Sequence, residues 1–106
     1  MATRHLHTVF FALENSSPEM IQSFVDDCRT YLKPHDGVEF FATGPRVTDC
    51  VRDVNDQDFH VGLTLLFRDR EAHDSYQVSP KHREFIERNK GNFARVRVFD
   101  SNAQAG

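Results

Sequence analysis

The sequence predicts an α+β domain built from one antiparallel four-stranded sheet, with elements in the order β-α-β-β-α-β. Three observations carry this expectation. Four short segments are apolar and rich in β-branched and aromatic residues. Two Ser-Pro pairs each open a run with helical spacing, and glycine or proline closes most of these segments. At 106 residues the chain has room for one domain, expected over residues 4–101, with 102–106 a small, polar, flexible tail.

Residues 6–13 (LHTVFFAL) open the series. His7, Val9, Phe11 and Leu13 share one side of this strand, and Leu6, Thr8, Phe10 and Ala12 share the other, so both sides call for cover. Ser17-Pro18-Glu19 supplies an N-cap, a proline suited to the first helical turn and an acid at the positive helix end. Ile21, Phe24, Val25, Cys28, Tyr31 and Leu32 then recur at helical spacing until Pro34 and Gly37 end the helix. Residues 38–43 form a second strand closed by Gly44-Pro45, and the polar stretch from Arg46 to Asp58 reads as a long loop. Residues 59–67 (FHVGLTLLF) are the third strand. A helical stretch follows over about 71–77, and Ser79-Pro80 starts another that Gly91 closes. Residues 93–99 (FARVRVF) are the fourth strand. This is a ferredoxin-like βαββαβ plan with its second helical region split in two.

Composition narrows the function. A net charge of −3, with basic residues interleaved among acidic ones (Arg-Asp-Arg-Glu at 68–71), argues against a nucleic-acid partner. No segment reaches the ~20 apolar residues of a membrane helix. Cys28 and Cys50 lack metal-type spacing, and no leader pattern opens the chain, so a cytoplasmic setting is expected. Ten phenylalanines without tryptophan suit a core of compact rings. One sheet with helices on one side leaves its other apolar side open. A second copy of the same sheet would cover it, which predicts a homodimer closed like a barrel. Glu39, with Arg95 or Arg97, is expected to form charged pairs between the subunits.

The third strand separates two residue sets. Phe59, Val61, Leu63, Leu65 and Phe67 suit the barrel interior. His60, Gly62, Thr64 and Leu66 are assigned to the helix side, where the missing side chain of Gly62 leaves room for a cavity. Gly62 serves equally to let a helix pack closely. His82 falls in the first turn after Ser79-Pro80, where the positive helix end favours a neutral imidazole. Tyr76 lies six residues earlier, at the break between helical segments. A tyrosine hydroxyl and a neutral imidazole on one cavity suit proton transfer beside a carbonyl. A buried Tyr-His hydrogen bond that holds the break together accounts for the same residues.

The segment SYQVSPKHREF (75–85), the opening HTVFF (7–11) and the closing RVRVFDS (95–101) together resemble the stress-responsive dimeric α/β-barrel (Dabb) family, over about Arg4 to Ser101. The tyrosine, short spacer and Pro-x-His are the most specific part. The resemblance implies a dimeric ferredoxin-like barrel with a pocket between sheet and helices. Within the family it points to polyketide cyclases of the olivetolic acid cyclase type, which close a linear chain by an aldol step without metal or organic cofactor. It makes Tyr76 and His82 the catalytic pair and places His7 and His60 in the pocket. Asp100 becomes the group that orients His82 and raises its pKa. Val9, Phe24, Gly62 and Thr64 complete the expected pocket set. Two departures imply a different substrate: Ser79 stands where those cyclases have a histidine, and Glu84 and Ile86 stand where they have glycines.

His5, His7 and His60 form a candidate metal set, but no further ligands are visible in the sequence, and neither metal nor cofactor is expected. Two functions remain. One is a cofactor-independent cyclase, isomerase or lyase binding a small carbonyl compound. The other is a non-catalytic stress-response barrel whose stable assembly is its function.

Overall fold

The computed structural model describes residues 3–104. Its elements are β1 (Arg4–Leu13), α1 (Pro18–Leu32), β2 (Val38–Pro45), β3 (Val61–Phe67), α2 (Arg70–Gln77), α3 (Pro80–Asn89) and β4 (Phe93–Ala103), with a 3-10 turn over Lys90–Asn92. The strands form one antiparallel sheet in the order β2-β3-β1-β4. This is the ferredoxin-like α+β plan that the periodicity predicts.

The helices start where local chemistry tells them to. Ser17 accepts a hydrogen bond from the Met20 amide (3.3 Å), and Ser79 accepts one from the His82 amide (3.1 Å). Asp69 caps α2 through the Ala72 amide at 2.8 Å. Each satisfies an amide that the first helical turn leaves without an intrahelical partner. Gly37 turns the chain from α1 into β2 at φ 87°, and a Cβ there would lie 2.5 Å from the Ala72 Cβ, so both backbone and space require glycine.

Strand register decides which side chains meet the helices. His7 pairs with Leu65 and Asp100, Val9 with Leu63 and Val98, and Phe11 with Val61 and Val96. This is the face that joins Phe24, Val25, Cys28, Leu32 and Phe85 in the core. Phe11, Phe24 and Phe85 pack edge to face with centroids 4.8 Å (Phe11–Phe24) and 5.5 Å (Phe24–Phe85) apart. A buried ring of this kind contributes about 1.5–3 kcal/mol.

The register overturns one expectation. Val61, Leu63, Leu65 and Phe67 face the helices, whereas Gly62, Thr64 and Leu66 pair with Phe10, Thr8 and Leu6 on the open side. The most completely apolar set goes to the core inside the chain, where burial is complete. The space above Gly62 is filled from the open side by the Phe10 ring, 3.5 Å from where a Cβ would stand.

The segment 46–60 carries no helix or strand and folds back against the open face. Phe59 packs on Phe10 at 4.9 Å, and the Arg46 guanidinium donates to the Gln57 and Phe59 carbonyls at 2.8 and 2.7 Å. Arg95 pairs with Asp58 (2.6 Å), Arg97 pairs with Asp56, and Glu39 pairs with Arg4 (2.6 Å). All three expected intersubunit partners are therefore engaged within one chain. The expected tail is also shorter than drawn. Asn102 and Ala103 belong to β4, opposite His5 and Arg4, while 105–106 lie outside the described residues.

Candidate active site

A cavity of about 400 Å³ opens between the β1–β4 half of the sheet and helices α2 and α3. It exists because β4 is an edge strand that the helices leave partly uncovered. Val98, on the helix-facing side, keeps 51% of its surface exposed. The apolar wall comes from Val9, Phe11, Leu63, Phe85, Ile86, Phe93, Val96 and Val98. The polar groups are His7, His73, Tyr76, Gln77, His82 and Asp100.

Tyr76 ends α2 and His82 opens α3, so the Ser79 cap sets their separation. Their rings meet at 4.8 Å, close to perpendicular (76°). Tyr76 is 2% exposed, and burial raises its phenol well above the ordinary range. The phenol is therefore a hydrogen-bond donor at neutral pH. Burial also lowers His82, to about 4, with His35, His7 and His73 adding to the effect. Its imidazole is neutral at physiological pH, with desolvation the leading cause.

Asp100 does not orient His82. Its carboxylate oxygen sits 2.8 Å from His5 Nε2 and 2.7 Å from His7 Nδ1. As an ionised carboxylate only accepts, both rings donate to it. Partial burial works against the carboxylate, but the bonds from His7 and His5 outweigh this and hold its pKa below the usual value. Burial lowers the pKa of His7, with Asp100 opposing. The expected raising of His82 by Asp100 is thus replaced by a lowering.

Of the other expected pocket residues, His7 and Val9 line the cavity. Phe24 is packed into the core behind the lining residues. His60, Gly62 and Thr64 lie away from the cavity. His60 precedes β3 and accepts the Leu13 amide on its Nδ1 (2.9 Å), a bond that ties the end of the sheet, and the other two point to the open face. Sequence reasoning passed over His73. A helical wheel over 70–77 sets it one turn before Tyr76, which was a usable signal. His73 stacks on His5 at 4.0 Å and replaces His60 in the candidate metal set, now His5, His7, His73 and Asp100.

The family model of the stress responsive A/B barrel domain (Dabb) matches residues 6–103. The chain belongs to that family. A Dabb protein with a ferredoxin-like fold from Mesorhizobium loti has 23% identity and a TM-score of 0.77, over 98% of this chain and 99% of its own. A dimeric ferredoxin-like protein from Thermobifida fusca has 10% identity and a TM-score of 0.79, over 97% and 93%. Hydroxynitrile lyase from Passiflora edulis has 16% identity and a TM-score of 0.79, over 100% and 98%. At these identities the likeness is one of fold. Among curated protein sequences nothing matches the chain. No helix among the described residues is long and apolar enough to cross a membrane.

Proposed function

We propose that this Dabb protein binds a small carbonyl compound and catalyses a lyase or aldol-type cyclase step in which Tyr76 hydrogen-bonds the carbonyl oxygen and His82 takes the substrate proton, without an organic cofactor. The observation that carries the reading is the contact of a neutral phenol and a neutral imidazole on one wall of a largely apolar cavity. The Tyr76 hydroxyl donates to the carbonyl oxygen. A bare ring nitrogen of His82 takes the adjacent proton, and the electron pair left behind becomes the enolate that Tyr76 stabilises. That enolate carbon then attacks a second carbonyl, or the reverse step breaks the bond, and the imidazolium returns its proton to the product.

A base with a pKa of about 4 selects the substrate. Proton transfer follows the match between donor and acceptor, so the abstracted proton must be activated. Protons between two carbonyls qualify, as does the hydroxyl proton of a cyanohydrin whose cyanide departs as the carbonyl forms. The second case fits the chemistry in the name of the Passiflora neighbour, and the first fits the cyclase chemistry that the sequence resemblance implies. Ile86, bulkier than the glycine that the resembled cyclases carry there, lines the cavity and favours a shorter substrate than a long polyketide.

We further infer a homodimer formed by open sheet faces, where Phe40 and Phe99 keep 54% and 55% of their surface exposed in one chain. A neighbour described as dimeric supports this. The free thiols of Cys28 and Cys50 suit a reducing cytoplasm.

The test is a native mass-spectrometric screen of β-dicarbonyls and cyanohydrins, followed by turnover assays on each binder. His82→Ala should lower kcat by a factor on the order of 10²–10⁴ with the fold intact. Tyr76→Phe should lower kcat more than it raises KM. Binders that turn over equally well with both variants, or no binder at all, would leave the stable barrel as the function.

A further inference from the structure

We propose that His5, His7, His73 and Asp100 form a binding site for one divalent transition-metal ion of the zinc class. Their ligand atoms all lie within 4.8 Å of one another, at the end of the cavity where β1, β4 and α2 meet. Two ligands bound at about 2.0–2.1 Å in tetrahedral geometry stand roughly 3.4 Å apart. The set is therefore slightly too tight between Asp100 and the β1 histidines (2.7 and 2.8 Å) and too wide at its limit. Rotation of Asp100, on the edge strand with its side chain 41% exposed, absorbs shifts of that size.

His73 brings a third imidazole to the carboxylate that His5 and His7 already share. Its Nε2 is 3.6 Å from the Asp100 oxygen, too far for a hydrogen bond, yet it lies within 4.8 Å of the other donors, and a tilt of its ring off the stacked His5 ring (4.0 Å) would bring both lone pairs onto one ion. Its Nδ1 lies 3.0 Å from Asp74, and donation to that carboxylate leaves the lone pair on Nε2, which accepts from the Gln77 side-chain amide at 3.3 Å and which an ion would take over from that donor. A carboxylate behind a ligating histidine is the outer-shell arrangement that fixes tautomer and ring orientation at metal sites. Three imidazoles and one carboxylate suit zinc, cobalt, nickel or copper and not magnesium or calcium, which demand more oxygen ligands. On binding, the protons that His5 Nε2 and His7 Nδ1 now give to Asp100 would move to the opposite ring nitrogens, leaving each nitrogen a lone pair for the ion.

Access is available from two sides. His7, His73 and Asp100 border the main cavity, and His5 and Asp100 border a smaller outer cleft with Arg70 and Ser101. Tyr76 and His82 are not ligands, so the site stands or falls independently of the proton-transfer reading.

Titration of the full metal-free chain with zinc chloride, by calorimetry, should give one ion per chain. Cobalt(II) at the same site should develop visible d–d absorption of an intensity that an octahedral aqua ion lacks. His73→Ala and Asp100→Asn should each weaken zinc binding on the order of 100-fold, and Asp74→Asn by about 10–100-fold. His73→Gln replaces the first variant if it does not fold by circular dichroism. His82→Ala should bind zinc as the parent does. No stoichiometric binding to the folded chain overturns the site, and so does binding that survives both ligand substitutions or that is lost with His82→Ala.

Discussion

The two faces of the sheet are built from alternating residues of the same strands, yet they do different work. On the helix side Val61, Leu63, Leu65 and Phe67 are essentially without solvent contact. This face also carries His7 and Asp100 into the cavity. On the open side Leu6, Phe10, Leu66, Phe40 and Phe99 are apolar but incompletely covered, and the loop 46–60 shields only one end. Burial inside the chain holds the fold and the site together. Burial available only to a partner adds assembly. A one-residue shift in register would exchange these roles, so substitutions on alternate residues should separate fold from association.

The largest effect is expected at Leu63. It is 2% exposed between β1 and the helices, and an aspartate there would bury an unpaired charge at a cost of several kcal/mol. Small domains hold only about 5–15 kcal/mol in total. Leu63→Asp should therefore abolish cooperative folding itself, read by circular dichroism and urea titration, and not merely the dimer. A folded Leu63→Asp chain would show that this face is not the core.

Phe99→Asp probes the other side with a smaller expected effect on the fold. Phe99 already meets water in one chain, so the charge is solvated when the chain is alone and buried only in the proposed dimer. Light scattering should show a folded monomer with a Tm within a few degrees of the parent dimer extrapolated to low concentration. A folded dimer would move the interface off this face.

The sequence made the elements legible but not their relation. Ser17, Asp69 and Ser79 act on amides three residues away, so their caps can be read locally, although Asp69 was missed. Period-two alternation groups Leu63 with Leu65 and Gly62 with Thr64, but it does not say which group meets the helices. That depends on pairing with β1, and the empty position of Gly62 pointed the wrong way because its space belongs to Phe10. Tyr76 and His82 could be brought together from a six-residue spacing and a helix break. Asp100 could be assigned its histidines only through the β1–β4 register, which sets it opposite His7. His73 was obscured by the polar residues around it on α2.

The smallest expected effect is on pH, and it separates the helix-side histidine from the rest of the molecule. His82 has a pKa of about 4 in the folded chain, against 6.5 for an unperturbed histidine. Between these values the unfolded chain binds a proton at His82 that the folded chain does not. Stability then falls as pH is lowered through this window and is unaffected by this group above about 7. The ring is only partly buried, so solvent screening reduces the slope below what the full shift implies. Urea titrations at pH 7.0 and 5.0 should show a loss of stability on acidification. His82→Gln, which keeps a polar side chain but cannot titrate, should reduce that loss without changing stability at pH 7.0 as strongly. An unchanged pH dependence in His82→Gln would mean that His82 protonates in place without cost. The neutral base on which the proton-transfer reading depends would then be absent near pH 5.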